Sequence, residues 1–327
     1  MKILLLRGKE PTDRDPSETY YKSIAECDDI YTLILHKMVE HSHEHKAQIW
    51  YWGGRRIKEY APNLTEIRVS RFSEETIHFI PDVIIARGGF AEYDTVLERY
   101  PHAFKIYYGA HAERFYPSGF CDYNVILVDS NEQMELCNKM FPDIHCEMML
   151  KPAADNLIFP VNVPKEYDIC FPANGKQMRY KGHEFVYLTA PKDLRILNLG
   201  NPPKLHIPPN ITNKRVQRKD IGREYSKCKI GIVCCNKGLD SCPRVLPEML
   251  ACNLPVVCLD TFYFWKDKYI NKYTGLVTSK DKFWDVVKEV LANTDSKFSP
   301  EEYYHKHLSI NKAAEHLWNI INKYKAC

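Results

Sequence analysis

The chain has 327 residues, room for two domains of ordinary size, each with its own core. It is 45% hydrophobic and 27% charged, a globular composition, and its 45 basic and 42 acidic residues nearly cancel to +3. That balance argues against nucleic acid as a partner, and no apolar stretch is long enough to span a membrane.

"MKILLL" opens the chain with an apolar run, Ile3 to Leu6, that is short for a secretory leader and reads as a first buried strand. Twelve cysteines are scattered without a Cys-x-x-Cys pair, which points to buried thiols and not to disulfides or structural zinc. The expectation is a cytoplasmic protein.

Strands are expected at 2–6, 47–52, 65–69, 82–86, 104–109, 124–128 and 146–150, with helices at 28–45 and 131–141. A second series follows, with strands at 167–171, 194–199, 229–235, 254–259 and 275–278. Its helices fall at 183–190, 220–227, 244–252, 281–293 and 301–323. Short apolar strands alternating with helices specify parallel sheets covered on both faces. The fold class is therefore α/β, two Rossmann-like domains facing across a cleft.

Between the halves, Lys151 to Asp168 is broken by Pro152, Pro160 and Pro164, which remove backbone donors and mark a linker. Ligands of such sheets bind at the carboxyl ends of strands, so the loops after Leu6, Ala86, Tyr108, Phe171, Leu199 and Cys235 are the ones to watch. The chain has neither Gly-x-Gly-x-x-Gly nor a Walker loop, which counts against dehydrogenase and nucleoside-triphosphatase chemistry.

The stretch "LDSCPRVLPEMLACNLPVV", from Leu239, puts Glu248 among residues made for burial. A lone buried carboxylate costs several kcal/mol unless something donates to it. With Pro243 at the first helical position, the amides of Arg244 and Val245 would face a phosphate. Pro247 conflicts with a start that early, and the helix fits better if it begins nearer Leu246. Asp240, just before, could accept from sugar hydroxyls, and Glu248 from a vicinal pair. The plainer alternative is an N-capping Asp and a Glu that reaches solvent.

The same text resembles the Glu-x7-Glu signature of the retaining GT-B glycosyltransferases of the group 1 family, with Asp240 in place of the first glutamate. Four further segments resemble the family in order: "VILVDSNEQMELC", "LKPAADNLIFP", "RYKGHEFVYLTA" and "YSKCKIGIVCC". The resemblance implies an amino-terminal acceptor domain at 1–155 and a nucleotide-sugar donor domain at 156–300. It also implies a final segment, 301–327, whose helix returns to the amino domain.

It further implies roles. Lys181 neutralises the leaving diphosphate; its usual companion arginine falls on Gly175, so Lys176 or Arg179 would supply the second cation. Asp240 meets the transferred sugar of the donor and Glu248 its ribose, and Ser241, Arg244 and Val245 also belong to the nucleotide-sugar-binding set. His111 sits at the reaction centre, and Gly8, Arg87 and Gly88 lie on acceptor-side loops. The implied reaction moves a sugar from a nucleotide-sugar donor to a glycan or other hydroxyl acceptor, with retention and without metal or cofactor. A nucleotide-sugar epimerase and a binding homologue without transferase activity are the alternatives.

Three other patterns carry less. Asp13 and Asp15 mimic a metal-binding Asp-x-Asp but lie in a polar loop. His36, His41, His43 and His45 are close in sequence without the carboxylates or cysteines of a dedicated site. "WYWGGRRIK", from Trp50, mixes aromatic and basic residues that could touch a glycan or, peripherally, a membrane, though its start reads as a buried strand.

Overall fold

The computed structural model describes residues 1–8, 23–42, 44–52, 56–69, 80–88, 93–109, 123–235, 243–261 and 264–325. Asp13, Asp15, His43, His111, Asp240 and Ser241 lie outside the described residues, as does the side chain of Arg179. The chain divides into two compact units, Met1–Leu150 with Ala313–Cys327, and Lys151–Lys312. The division thus falls at 150/151 and 312/313, where the sequence suggested 155/156 and 300/301.

The first unit holds an eight-stranded sheet: β1 (Lys2–Arg7), β2 (Lys46–Trp52), β3 (Arg56–Ala61), β4 (Leu64–Val69), β5 (Val83–Arg87), β6 (Phe104–Tyr108), β7 (Val125–Val128) and β8 (His145–Met148). The spatial order is β3-β4-β2-β1-β5-β6-β7-β8. All pairs are parallel except β3 with β4. β3 escaped the sequence reading because "RIKEYA" is half polar, as an edge strand tolerates. β1, β2 and β4 progress one way and β5 to β8 the other, so the order reverses between β1 and β5.

Among the described residues, three α-helices intervene in this stretch, α1 (Ile30–Val39), α2 (Asp94–Arg99) and α3 (Asn131–Met140). α1 stops at Val39, not at residue 45. Asn63 Nδ2 donates to the carbonyls of Val39 (3.3 Å) and Ser42 (2.8 Å), and Ser42 Oγ accepts from the amides of Glu44 and His45. A turn therefore separates His41 from His45, which are not one helical turn apart. His41 meets Glu40, and His45 meets the amino terminus.

The second unit carries β9 (Tyr167–Phe171), β10 (Ile196–Leu199), β11 (Ile211–Lys214), β12 (Cys228–Val233), β13 (Val256–Leu259) and β14 (Gly275–Thr278). They form one parallel sheet in the order β11-β10-β9-β12-β13-β14, which reverses between β9 and β12. Its helices are α4 (Met178–Lys181), α5 (His183–Thr189), α6 (Ile221–Ser226), α7 (Val245–Ala251), α8 (Lys266–Tyr269), α9 (Phe283–Ala292), α10 (Thr294–Lys297) and α11 (Pro300–His307). β12 and α7 lie close because Gly231 has no side chain: a Cβ there would sit 2.3 Å from Met249 Sδ.

The long terminal helix expected at 301–323 is two helices. α11 ends at His307, Leu308 leaves helical geometry, and α12 runs from Ile310 to Lys325. Asp155 ties the junction, accepting from Tyr304 Oη and the amide of Ile310. From Ala313 onward the chain belongs to the first unit, where His316 contacts the Met148 carbonyl and Trp318 packs on His45. No described helix is long and apolar enough to cross a membrane.

Candidate active site

In an open parallel sheet, the crevice for a ligand opens where strand order reverses. In the second unit that point lies between β9 and β12, and the two segments singled out by sequence leave from these strands. After β9 the chain runs through Lys176 and Arg179 to Lys181 at the end of α4. After β12 it leads to Arg244, Val245 and Glu248 on α7.

Gly182 joins the two. It sits at φ 74°, in the left-handed region, and a Cβ would fall 2.1 Å from the carbonyl oxygen of Cys234, just past β12. The residue after Lys181 is thereby pressed onto the backbone that leads to α7. Lys181 is half-buried; Lys176 and Arg244 are exposed.

α7 begins at Val245, so Pro243 precedes the helix and is not its first residue. Pro247 is third in the helix, where an amide would have no partner one turn back, so it breaks nothing. The first turn is closed by Leu246 N donating to the Pro243 carbonyl, and Glu248 N to that of Arg244.

Glu248 is 1% exposed, and the protein satisfies it. Arg218 Nη2 donates to Oε1 at 2.5 Å and Tyr225 Oη to Oε2 at 3.0 Å. Burial first, then the Glu248 charge, raises the Tyr225 hydroxyl well above its ordinary pKa, so it stays protonated and donates. Arg218 follows β11 and Tyr225 lies on α6. The sequence reading missed both as partners, because long-range pairing has no periodicity to reveal it.

Gly175, where the companion arginine was sought, is fixed by a neighbour. A Cβ there would lie 2.4 Å from backbone atoms of Pro202 and Pro203. Gly200 answers from the other side: its Cβ would meet the Ala173 carbonyl at 2.4 Å. The loops after β9 and β10 interlock, and a side chain at 175 has no space. Beneath them His183 is buried against Phe171, with Nε2 3.3 Å from the Ala173 carbonyl and 3.5 Å from Asn198 Nδ2.

The first unit has its own switch point, flanked by Arg7 at the end of β1 and Arg87 at the end of β5, partners in register. Gly8 follows Arg7, and Gly88 turns the chain at φ 82° while its amide donates to the Tyr108 carbonyl. Arg7 Nη1 lies 2.5 Å from Asp29 Oδ2 and 2.5 Å from Tyr51 Oη. Burial opposes the Asp29 charge, but Arg7 and the hydrogen bonds of Thr32 outweigh it and lower its pKa. Tyr31 Oη donates to Tyr108 Oη at 3.3 Å, and Tyr108 to Asp129 Oδ1 at 2.5 Å. Among the described residues, no group of three or more His, Cys, Asp or Glu side chains is placed to hold a metal.

Two parallel-rich sheets, each with a point where the strand order reverses, match the fold of the GT-B glycosyltransferases. Among solved structures, the chain resembles sucrose-phosphate synthase from Thermosynechococcus elongatus, with a TM-score of 0.68 over 99% of each chain at 12% identity. It also resembles a glycosyltransferase from Rickettsia africae, at 0.67 over 99% of this chain and 98% of that one, with 13% identity. Anabaena HepE in complex with UDP gives 0.68 over 99% of this chain and 100% of that one, at 9% identity. No protein-family model and no curated protein sequence matches the chain.

Proposed function

We propose that the protein is a retaining glycosyltransferase that moves a sugar from a nucleotide-sugar donor to an acceptor hydroxyl without a metal. One observation carries this reading. The Lys181 segment and the segment leading to Glu248, matched to the family by sequence, leave from the two strands flanking the switch point of the second sheet. The shared fold, and the UDP held by one structure that has it, support the choice of donor.

Departure of a nucleoside diphosphate builds negative charge on the leaving group. Fixed cations and unpaired amides at a helix start stabilise that charge as a metal would. Lys181 has this role here, with Lys176 or Arg179 as second cation and the amides of Arg244 and Val245 on the phosphates. Asp240 serves the sugar and Glu248 the ribose, Ser241 joins them on the donor, and His111 serves the reaction centre. Gly8, Arg87 and Gly88 face the acceptor.

A second reading, a homologue that binds the donor without transferring it, draws on two observations. Both oxygens of Glu248 already accept from the protein, and no side chain fits at 175. One experiment separates the readings. A thermal-shift screen against nucleotide sugars should reveal a donor that raises the melting temperature by mass action. That donor should then be hydrolysed slowly, or consumed with an acceptor. Binding without either reaction selects the second reading; no binding across the panel removes both.

A further inference from the structure

We propose that the first unit binds an oxyanion, a phosphate or carboxylate carried by the acceptor, through Arg87. The glycosyltransferase reading supplies only the word acceptor; the oxyanion site stands on the following geometry.

Arg68, Tyr51, Arg7, Arg87 and Tyr108 are successive register partners across β4, β2, β1, β5 and β6. They form one row at the carboxyl edge, and register partners in a parallel sheet share a face. Three cations in one row need counter-charges, and two have them. Arg68 Nε lies 3.1 Å from Glu66, and Arg7 meets Asp29.

Arg87 has no carboxylate within ion-pair distance among the described residues. Its Nε is buried without a hydrogen-bond partner. Its guanidinium carbon lies 4.4 Å from the centroid of the Tyr31 ring. Tyr31 itself is fixed by its hydrogen bond to Tyr108 and by Arg7, 5.3 Å from its centroid.

A guanidinium laid on a ring has one face covered while its N–H fork stays available in its own plane. That fork matches the two oxygens of a carboxylate or phosphate, and a buried N–H without an acceptor is a standing cost that such a ligand removes. Arg7, its register partner, has its charge met by Asp29, which leaves Arg87 as the cation for a ligand at the point where the sheet order reverses. Among the described residues, an apolar void of about 20 Å³ lies below Tyr31 and Tyr108, lined by Leu5, Ile34, Ile85, Leu127 and others, too small for a ligand. The oxyanion would therefore meet Arg87 in the plane of its guanidinium and not beneath the Tyr31 ring.

The test uses the full chain and inorganic phosphate, with acetate as a second probe and chloride holding the ionic strength. Calorimetric titration should show millimolar binding of at least one probe, and the stronger of the two identifies the class of group. Arg87→Gln should weaken that binding at least about tenfold, and Arg87→Lys by less, since it keeps the charge but loses the fork. Arg87→Gln should melt no lower than the wild type, because it removes an uncompensated charge; a structural arginine would give the opposite. In a Lys181→Ala background, where the proposed diphosphate site is weakened, Arg87→Gln should still cause the same loss of binding, which keeps that site from mimicking the effect.

Wild-type protein that binds neither probe, or Arg87→Gln that binds as wild type does, overturns the proposal. UDP titrated into the same samples reads the donor site separately. Loss of UDP binding alone counts against the glycosyltransferase reading and leaves the oxyanion site standing.

Discussion

Arg218 and Glu248 form a partly buried ion pair at 2.5 Å that ties the segment after β11 to the middle of α7. Glu248 is 1% exposed and Arg218 24%, so removing the arginine strands a carboxylate in the interior. Arg218→Ala should cost about 3 kcal/mol, the lower end for breaking a buried pair because Arg218 is partly hydrated. Arg218→Met combined with Glu248→Met should recover most of that loss, since a well-packed apolar pair replaces both charges. Urea unfolding of the three proteins measures it, and equal losses in the single and double variants would contradict the account.

Gly175 is a place where copying the family's arginine should fail. Gly175→Arg puts Cβ 2.4 Å from the backbone at Pro202–Pro203, which a side-chain rotation cannot relieve. The expected cost is about 1–3 kcal/mol from overpacking, with no gain in diphosphate affinity. Tighter UDP binding by a folded variant would show that the two loops can part.

Much of this architecture was legible. Apolar runs such as "KILLL", "DVIIA" and "KIGIVCC" became strands near the positions expected, because strands buried on both faces have continuous hydrophobicity. β3 and β11 were not, being short or half polar at the sheet edges. The segments carrying Lys181 and Glu248 were legible through their resemblance to a family. The partners of Glu248 and the Arg–Tyr row were not, because register between strands distant in sequence follows from packing and not from local pattern.

Lys181→Ala tests the leaving-group role. Losing one charge-stabilising donor typically lowers turnover by roughly 10²–10³-fold, and the variant should fold normally because Lys181 is only half-buried. In the same assay, excess EDTA should leave wild-type activity intact. Near-normal turnover of Lys181→Ala sinks the assignment; loss in EDTA restored by manganese or magnesium points to a metal, with Asp13 and Asp15 the first candidates.

Acid stability reports on Asp29. Its folded pKa is lowered, so its contribution is present above the unfolded value of about 3.9 and is lost as pH falls through the folded one. Arg7 stays charged throughout. Asp29→Asn should therefore be less stable than wild type at neutral pH, and the gap should narrow as the pH drops below about 4. A gap that stays constant down to acid unfolding would mean that the Asp29 charge contributes nothing.

The last prediction separates Glu248 from Asp240. Glu248 lies within α7 and Asp240 comes before it, so on the proposed reading they serve opposite ends of the donor. Glu248→Ala would confuse binding with stability, because it leaves Arg218 without its carboxylate. Glu248→Gln keeps an acceptor for Arg218 or Tyr225 while removing the charge that a ribose hydroxyl would meet. It should weaken both free nucleoside diphosphate and intact donor by about 1.5 kcal/mol, the lower end for a charged hydrogen bond. Asp240→Ala should leave diphosphate affinity almost unchanged and cut transfer, since its partner exists only in the sugar-bearing donor. Calorimetry with the diphosphate and the nucleotide sugar side by side reads both effects. Equal loss of diphosphate affinity in the two variants would refute the division of labour. Unchanged donor binding and transfer in both would mean that the Glu-x7-Glu resemblance carries no function here, and that Glu248 serves only to hold Arg218 and Tyr225 in place.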